Sequence, residues 1–519
     1  MESLQQIDTA SKGAANPTNP RELNEFAQKM MEMVLDLALF AESAAREGTA
    51  VHEVEKKAWE QLLALGREML TLFFQSAGDG NQGEEMTLPD GRTVRRLEQL
   101  HTRPYQSIFG SFELSRVVYG TREGQKIKLV PLDQRLQLPE GKFSYVLQNW
   151  DQRLTVETPY AEVSATLQRI LGFKQSVDSL ERMNRRMAEP VVDYWDWLAT
   201  PPASEEGEVL VLSADGKGVP IRRRASESPI ETHQPTKGPK PGAKKMALVS
   251  GTYTVDRFVR TPQEVVDSLF RKPGISPSEP RPDPQNKRLR ASLARSEQGT
   301  TEPAVEEIFG WMALEAEQRN PRGEKPLVLL MDGQTSLWEA AQIHLPDNAI
   351  EILDLLHVTP RLWKAAHLFH PKGSAGAAQF VRQRAERVLR GEVRSVITGL
   401  RRMATLSGLT GRKRKKLERI CNYLENNQQR MKYHEYLAAG YPIATGVIEG
   451  ACRHLVKDRL ERTGMQWVLE GAQAMLDLRS IHLCGQWDDF QAFRIQKENQ
   501  RLYPYAEPAN DMENLAIAA

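Results

Sequence analysis

Cysteine is scarce: the chain of 519 residues has three, Cys421, Cys452 and Cys484. None belongs to a CxxC pair, which argues against a zinc ribbon or a disulfide framework and suits a reducing cytoplasm. No apolar run approaches the ~18 residues of a transmembrane helix, so no membrane partner is expected. The opening "MESLQQIDTASKGAANPTNP" lacks the basic-then-apolar layout of a secretory signal. There is no GxxxxGK[ST], no GxGxxG following a strand and no GxSxG. Those absences set aside P-loop NTPases, dinucleotide-binding folds and α/β-hydrolase nucleophiles. Excess charge is also missing, the net being +1, so bulk electrostatics alone does not announce a nucleic-acid partner.

The distribution of charge says more. Basic clusters stand at 221–224, 237–245, 286–296 and 411–419. Together they favour a polyanionic partner, although any single cluster reads equally well as a solvated face. The length implies three or so domains. Residues 1–19 and 503–519 are polar and expected to be disordered. From 20 to 86 the apolar spacing predicts a helical hairpin broken at Gly48. The region 87–200 predicts a small β-rich element, then helix, short turn and helix over 160–190, with Ser176 as an N-cap. That layout fits a helix-turn-helix-like DNA-binding segment offering Arg182, Arg185 and Arg186, although two-helix patterns also occur in proteins that never touch DNA.

After Val209 the order changes. "EVLVLSAD" (208–215), "KMALVSGTYTV" (245–255) and "KRLRASL" (287–293) predict strands, followed by a helix near 303–318. Strand 327–332, helix 336–345 and strand 349–354 complete the order β-β-β-α-β-α-β. Strands joined through helices run parallel, and sites gather at their carboxyl ends. Asp332 and Asp354 are therefore expected at one edge, joined by Asp215 if its strand runs the same way. A basic helical stretch follows over 373–440, then a late helical segment over 441–490 carrying Glu449. Glu449, Arg453 and Lys457 are spaced to stand one above another on a helix face. Asp215, Asp332 and Glu449 are candidate hard-oxygen ligands for Mg²⁺ or Mn²⁺. Two such ions suit phosphodiester displacement. Singly, each acid also reads as a turn or surface residue, and His357 as a packed imidazole.

This order, with a late helix bearing Glu, resembles the RNase H-like core of DDE transposases. "LMDGQTSLW" and the Asp354-Leu-Leu-His357 motif resemble the Mutator-like group. Together with "LSADGKGVPI" and "ATGVIEGACRHLVKDRLERTGMQW", they resemble most the ISKra-type transposases of bacterial insertion sequences, over roughly residues 90–490. The resemblance implies an α/β RNase H-like core over 208–372 and 441–490, interrupted by a helical insertion over 373–440 and preceded by the helical and β-rich amino-terminal region. It implies Asp215, Asp332 and Glu449 as the catalytic, metal-binding triad, with Asp354 and His357 accessory to it. It also implies binding of terminal inverted repeats and target DNA, cleavage and strand transfer, and a homodimer or larger assembly at the nucleoid. Lys217, Arg453 and Lys457 are candidates for phosphate contacts, with surface ion pairs as the competing reading. Trp467 is a candidate for stacking on an unpaired base, with a core position as the alternative. No Cys-based zinc element precedes the core. A stand-alone nuclease of this fold, or an inactive DNA-binding regulator, would carry many of the same elements.

Overall fold

Gly48, at φ +71°, interrupts the first apolar-periodic stretch, and the chain reverses there. The computed structural model describes residues 20–121, 129–222, 244–270, 280–297, 300–444, 446–462 and 465–505. The tails 1–19 and 506–519 lie outside the described residues, as does most of the basic clusters at 221–224 and 237–245. Two compact units emerge, one formed by residues 1–183 with 488–519, the other by 184–487. The boundary thus falls inside the region 87–200 rather than at its end.

In the first unit, helices α1 (Pro20–Glu47) and α2 (Val51–Ala77) pack on one another. Phe74 on α2 meets Tyr105 and Phe112 edge-on, at 5.4 Å between ring centroids. Those rings belong to β1 (His101–Ser107) and β2 (Gly110–Arg116), an antiparallel hairpin. Then come α3 (Tyr145–Thr155), α4 (Tyr160–Leu171) and α5 (Val177–Ala188). Leu147, Val163, Leu167, Leu171 and Leu180 form their shared core. The left-handed Gly172 ends α4, its N–H donating to the Gln168 carbonyl. The Ser176 hydroxyl accepts from the Ser179 N–H at 3.2 Å, the expected cap of α5. The unit boundary falls within α5, between Met183 and Asn184. At the carboxy end Tyr503 closes the last helical turn, and the Tyr505 hydroxyl donates to Asp90 at 3.1 Å. Residues 503–505, expected in a disordered tail, are therefore ordered by side-chain contacts.

The second unit explains why the runs Val209–Ala214 and Leu327–Met331 do not alternate: every residue in them is buried. A strand covered on both faces has no solvent side to mark. The strands are β3 (Val209–Pro220), β4 (Lys244–Val255), β5 (Gln285–Leu293), β6 (Leu327–Met331) and β7 (Ile350–Leu353). They form one mixed sheet in the order β7-β6-β3-β4-β5. β3, β6 and β7 run parallel, while β4 and β5 pair antiparallel. The fold class is thus mixed α/β with a five-stranded sheet. Helix α6 (Pro262–Leu269) precedes β5; its capping box of Thr261 and Glu264 marks its start.

One sheet face packs under α7 (Ala304–Arg319) and α8 (Thr335–His344), through Phe309, Met312 and Trp338. The other carries α9 (Leu355–Phe369), α10 (Ala375–Leu389), α11 (Val393–Leu406) and α12 (Gly411–Asn426). Val211 and Ile352 of the sheet share one apolar cluster with Phe380, Leu400 and Leu417. The stretch 373–440, expected as an insertion, therefore packs into the core of the sheet. Among the described residues, no helix is long and apolar enough to cross a membrane.

Asp151 on α3 is fully buried, and among the described residues neither carboxylate oxygen has a hydrogen bond within 3.5 Å, the Gln175 amide being its nearest donor group. Burial pushes its pKa up from 3.8 to about 7, with the Gln175 amide pulling weakly the other way. A carboxyl whose folded pKa is raised binds its proton more tightly when folded, so stability falls as pH rises from about 4 to about 7 and the penalty persists above. Asp151→Asn is expected to flatten that slope and to raise stability at pH 8 by roughly 1–3 kcal/mol. Urea denaturation across pH 4–8 measures it, and an unchanged pH profile in the variant would refute the assignment.

Candidate active site

The sheet register brings the acids together. β3 pairs with β6 so that Leu212 lies beside Leu329, and β6 pairs with β7 so that Met331 lies beside Leu353. Carried forward, that register sets Asp215, Asp332 and Asp354 level on three neighbouring parallel strands. Asp215 follows buried Val209 and Val211 on the face occupied by α9 and its neighbours. Its Oδ1 accepts from the Gly216 N–H at 2.7 Å, and its Oδ2 accepts from the Cys452 thiol at 3.5 Å. Asp332 Oδ1 accepts from the Gln334 N–H at 2.8 Å, while its carbonyl accepts the Trp338 indole N–H at 2.7 Å. Asp354, 1% exposed, caps α9 by accepting the Leu356 N–H at 2.7 Å.

The cap on α9 presents His357 in the first turn. Its Nδ1 lies 4.0 Å from Asp332 Oδ2, and its Nε2 lies 3.6 Å from Glu449 Oε1. Glu449 comes from α13 (Gly446–Ala451), far along the chain. Asp354, His357 and Glu449 each offer a ligand atom within 4.8 Å of the others. Among the described residues neither Glu449 oxygen, both buried, has a hydrogen bond within 3.5 Å, His357 Nε2 standing just beyond. Glu449 foremost, then Asp354, Asp332 and Asp215, hold the His357 pKa above its ordinary value against burial. Burial first, and then Asp332, raise that of Asp215, opposed by Gly216, Cys452 and His357. Four carboxylates from four chain segments thus act on one imidazole.

Gly333, between Asp332 and α8, is required by close approach: a Cβ there would lie 2.4 Å from Cε2 of Tyr423. Tyr423 belongs to α12, and the Arg361 guanidinium stacks 3.4 Å from its ring centroid. Arg361 in turn donates to the His357 carbonyl. The loop after Asp332 is therefore clamped by a helix from the basic stretch.

The remaining candidates divide. α13 runs into a π-helical turn, Cys452–Lys457, so the uniform stacking of Glu449, Arg453 and Lys457 does not hold. Arg453 is exposed and lies 3.9 Å from Asp458, not paired with Glu449. Lys217 lies 3.8 Å from Glu461, which also binds Lys244 and feels Lys457. Lys217 thus takes the ion-pair reading. Trp467 is 7% exposed, its indole N–H donating to the Leu460 carbonyl at 3.2 Å under Arg459. It is a core residue, withdrawn from base stacking. In the cluster 286–296, Arg288 pairs with Glu315 at 2.7 Å and Arg290 stacks between Trp195 and Trp311, so both serve the core. Arg182 is exposed and paired with Asp178 at 3.0 Å; Arg186 is exposed and Arg185 half-buried. Cys452, Tyr423 and Arg361 are site neighbours that sequence reasoning missed. Cys452 stood three residues past Glu449 as a signal, whereas nothing local marked the other two.

A scan against protein-family models finds no match, and a search of curated proteins finds none. Gly333→Ala is expected to cost about 1–3 kcal/mol by overpacking against Tyr423. Tyr423→Ala should relieve most of that penalty in the double variant, a coupling read from a double-mutant cycle of denaturant midpoints. Strict additivity would show that the ring does not dictate the glycine.

Proposed function

We propose that the chain is a DDE transposase of the bacterial insertion-sequence type, cleaving and joining DNA with an RNase H-like core. The observation that carries this reading is the convergence of Asp215, Asp332, Asp354 and Glu449 on His357 at the carboxyl end of three parallel strands. The donor set fits a hard divalent cation. Among the described residues Glu449 offers two buried oxygens without a hydrogen bond, His357 being its nearest cation, and all the acids offer oxygen. Asp215, Asp332 and Glu449 would hold Mg²⁺ or Mn²⁺, two ions being expected. Such ions would supply electrostatic stabilisation to the attacking and leaving oxygens of a phosphodiester.

The protein's own residues have separable tasks. Asp354 spends one oxygen capping α9 and so orients His357. His357 stands between Asp332 and Glu449, where a protonated ring offsets part of their mutual repulsion. The Gly216 and Gln334 amides fix one oxygen each of Asp215 and Asp332, which leaves the second oxygen of Asp332 facing the imidazole. On α12, Arg412, Lys413, Lys415 and Lys416 are exposed, with no carboxylate in ion-pair distance among the described residues. Cations at a helix amino end oppose the helix dipole, a cost that a DNA backbone would reverse.

The test uses DNA carrying the ends that flank the coding region, with Mg²⁺. Asp215→Asn, Asp332→Asn and Glu449→Gln are each expected to lose cleavage and joining by roughly 100-fold or more while retaining end binding in a mobility-shift assay. Asp354→Asn should show a partial defect. Full activity in Asp332→Asn, or cleavage that survives chelation of divalent ions, would sink the proposal. Cleavage with no joined product would instead favour a nuclease.

A further inference from the structure

Away from the acids, the second unit has a cavity of about 180 Å³ lined by Tyr253, Phe258, Arg260, Arg281, Pro442 and Val447, among others. Two guanidinium groups share it. Neither has a carboxylate within 4.0 Å among the described residues. Among the described residues the one acid in the wall, Asp256, is exposed and takes a 3.4 Å hydrogen bond from Gln285. The nearby Glu264 is engaged by Thr261 in the cap of α6.

Arg260 is held but not satisfied. Its backbone N–H donates to the Leu437 carbonyl at 3.3 Å. Its guanidinium lies 5.2 Å from the Phe258 ring centroid and makes one long bond, 3.4 Å, to the Tyr441 carbonyl. Its Nε is buried with no acceptor among the described residues. A guanidinium carries five N–H donors in a rigid fork, so one carbonyl leaves most of this one open to a further acceptor. Arg281 reaches Ser268 Oγ at 3.2 Å and adds like charge to the same space. Burial first, and then the Arg281 charge, pull the Arg260 pKa down to about 10. Such a pair is unfavourable as it stands and would be relieved by an oxyanion between its members.

We propose that this cavity is a binding site for a phosphate group, held between Arg260 and Arg281. Planar guanidinium forks match phosphate oxygens bidentately. Two positive charges balance a phosphate monoester dianion better than the single charge of a backbone diester. The cavity is smaller than the ~300 Å³ at which sites for drug-sized ligands begin, so it admits a phosphate with little attached. The source is either the terminal phosphate of a nucleic-acid strand or free phosphate.

The full-length protein, Arg260→Gln and Arg281→Gln, each checked for folding by circular dichroism, would be titrated with inorganic phosphate against chloride at equal ionic strength. Binding is read by calorimetry and thermal shift. The wild type should bind phosphate, and each variant should lose at least about tenfold in affinity, the free-energy equivalent of one lost charge-assisted contact. Arg281 is exposed, so its variant tests the site even if Arg260→Gln folds poorly. Paired oligonucleotides with and without a 5′-phosphate identify the source. A preference for the phosphorylated strand that vanishes in Arg281→Gln supports a strand end. Equal oligonucleotide binding, with phosphate binding retained in the wild type alone, supports free phosphate. Phosphate affinity unchanged in both variants, or no phosphate effect beyond chloride in the wild type, overturns the proposal. Asp332→Asn should bind phosphate normally, so this site stands or falls separately from the acidic one.

Discussion

Mutual repulsion of carboxylates at one sheet edge is the constraint around which the second unit is organised. Asp215, Asp332 and Asp354 end level on neighbouring strands, and Glu449 approaches from a helix. Charges held this close in a partly buried setting are unfavourable unless a counter-charge or a set of donors meets them. The structure supplies backbone N–H groups to three of the acids and an imidazole to the group as a whole. Glu449 is the exception: among the described residues neither of its oxygens has a hydrogen bond, and its nearest counter-charge is His357 Nε2 at 3.6 Å.

Holding that edge rigid takes both faces of the sheet. Apolar clusters above and below fix the parallel strands, so the spacing of the aspartates follows from strand pairing rather than from loop conformation. The loop after Asp332 lies outside the strand ladder. Here it is braced from three sides: by its own turn, by the Trp338 indole on the Asp332 carbonyl, and by Tyr423 pressed on Gly333. Sites built on regular elements in this way keep their geometry better than sites built on loops.

The ends of β6 and β7 were legible because a buried run that stops at Asp is a strong local pattern, whereas β3 runs on past Asp215 to Pro220, paired with β4. The shared direction of β6 and β7 was legible through the helix that connects them, while that of β3 was left open. Helix α6 escaped the reading although Thr261 and Glu264 spell out its capping box. The packing of α10 to α12 onto the sheet was not legible, since periodicity identifies an apolar face but not its partner. Nor was the π-helical turn after Glu449, which no local composition announces. Trp467 and Lys217 show the same limit from the other side: one indole and one ammonium each admitted two roles, and the neighbours that bear on them, the Leu460 carbonyl and Glu461, come from the fold rather than from local pattern.

The unit boundaries carry one more consequence, for the order in which the protein can fold. The first unit takes its final helix from the far end of the chain, where Arg494 hydrogen-bonds Gln148 at 3.0 Å and Phe490 is fully buried. During synthesis, all of residues 184–487 emerge before that helix does. The sheet-bearing unit can therefore mature on the ribosome while its companion waits, incomplete, for the segment that follows residue 487.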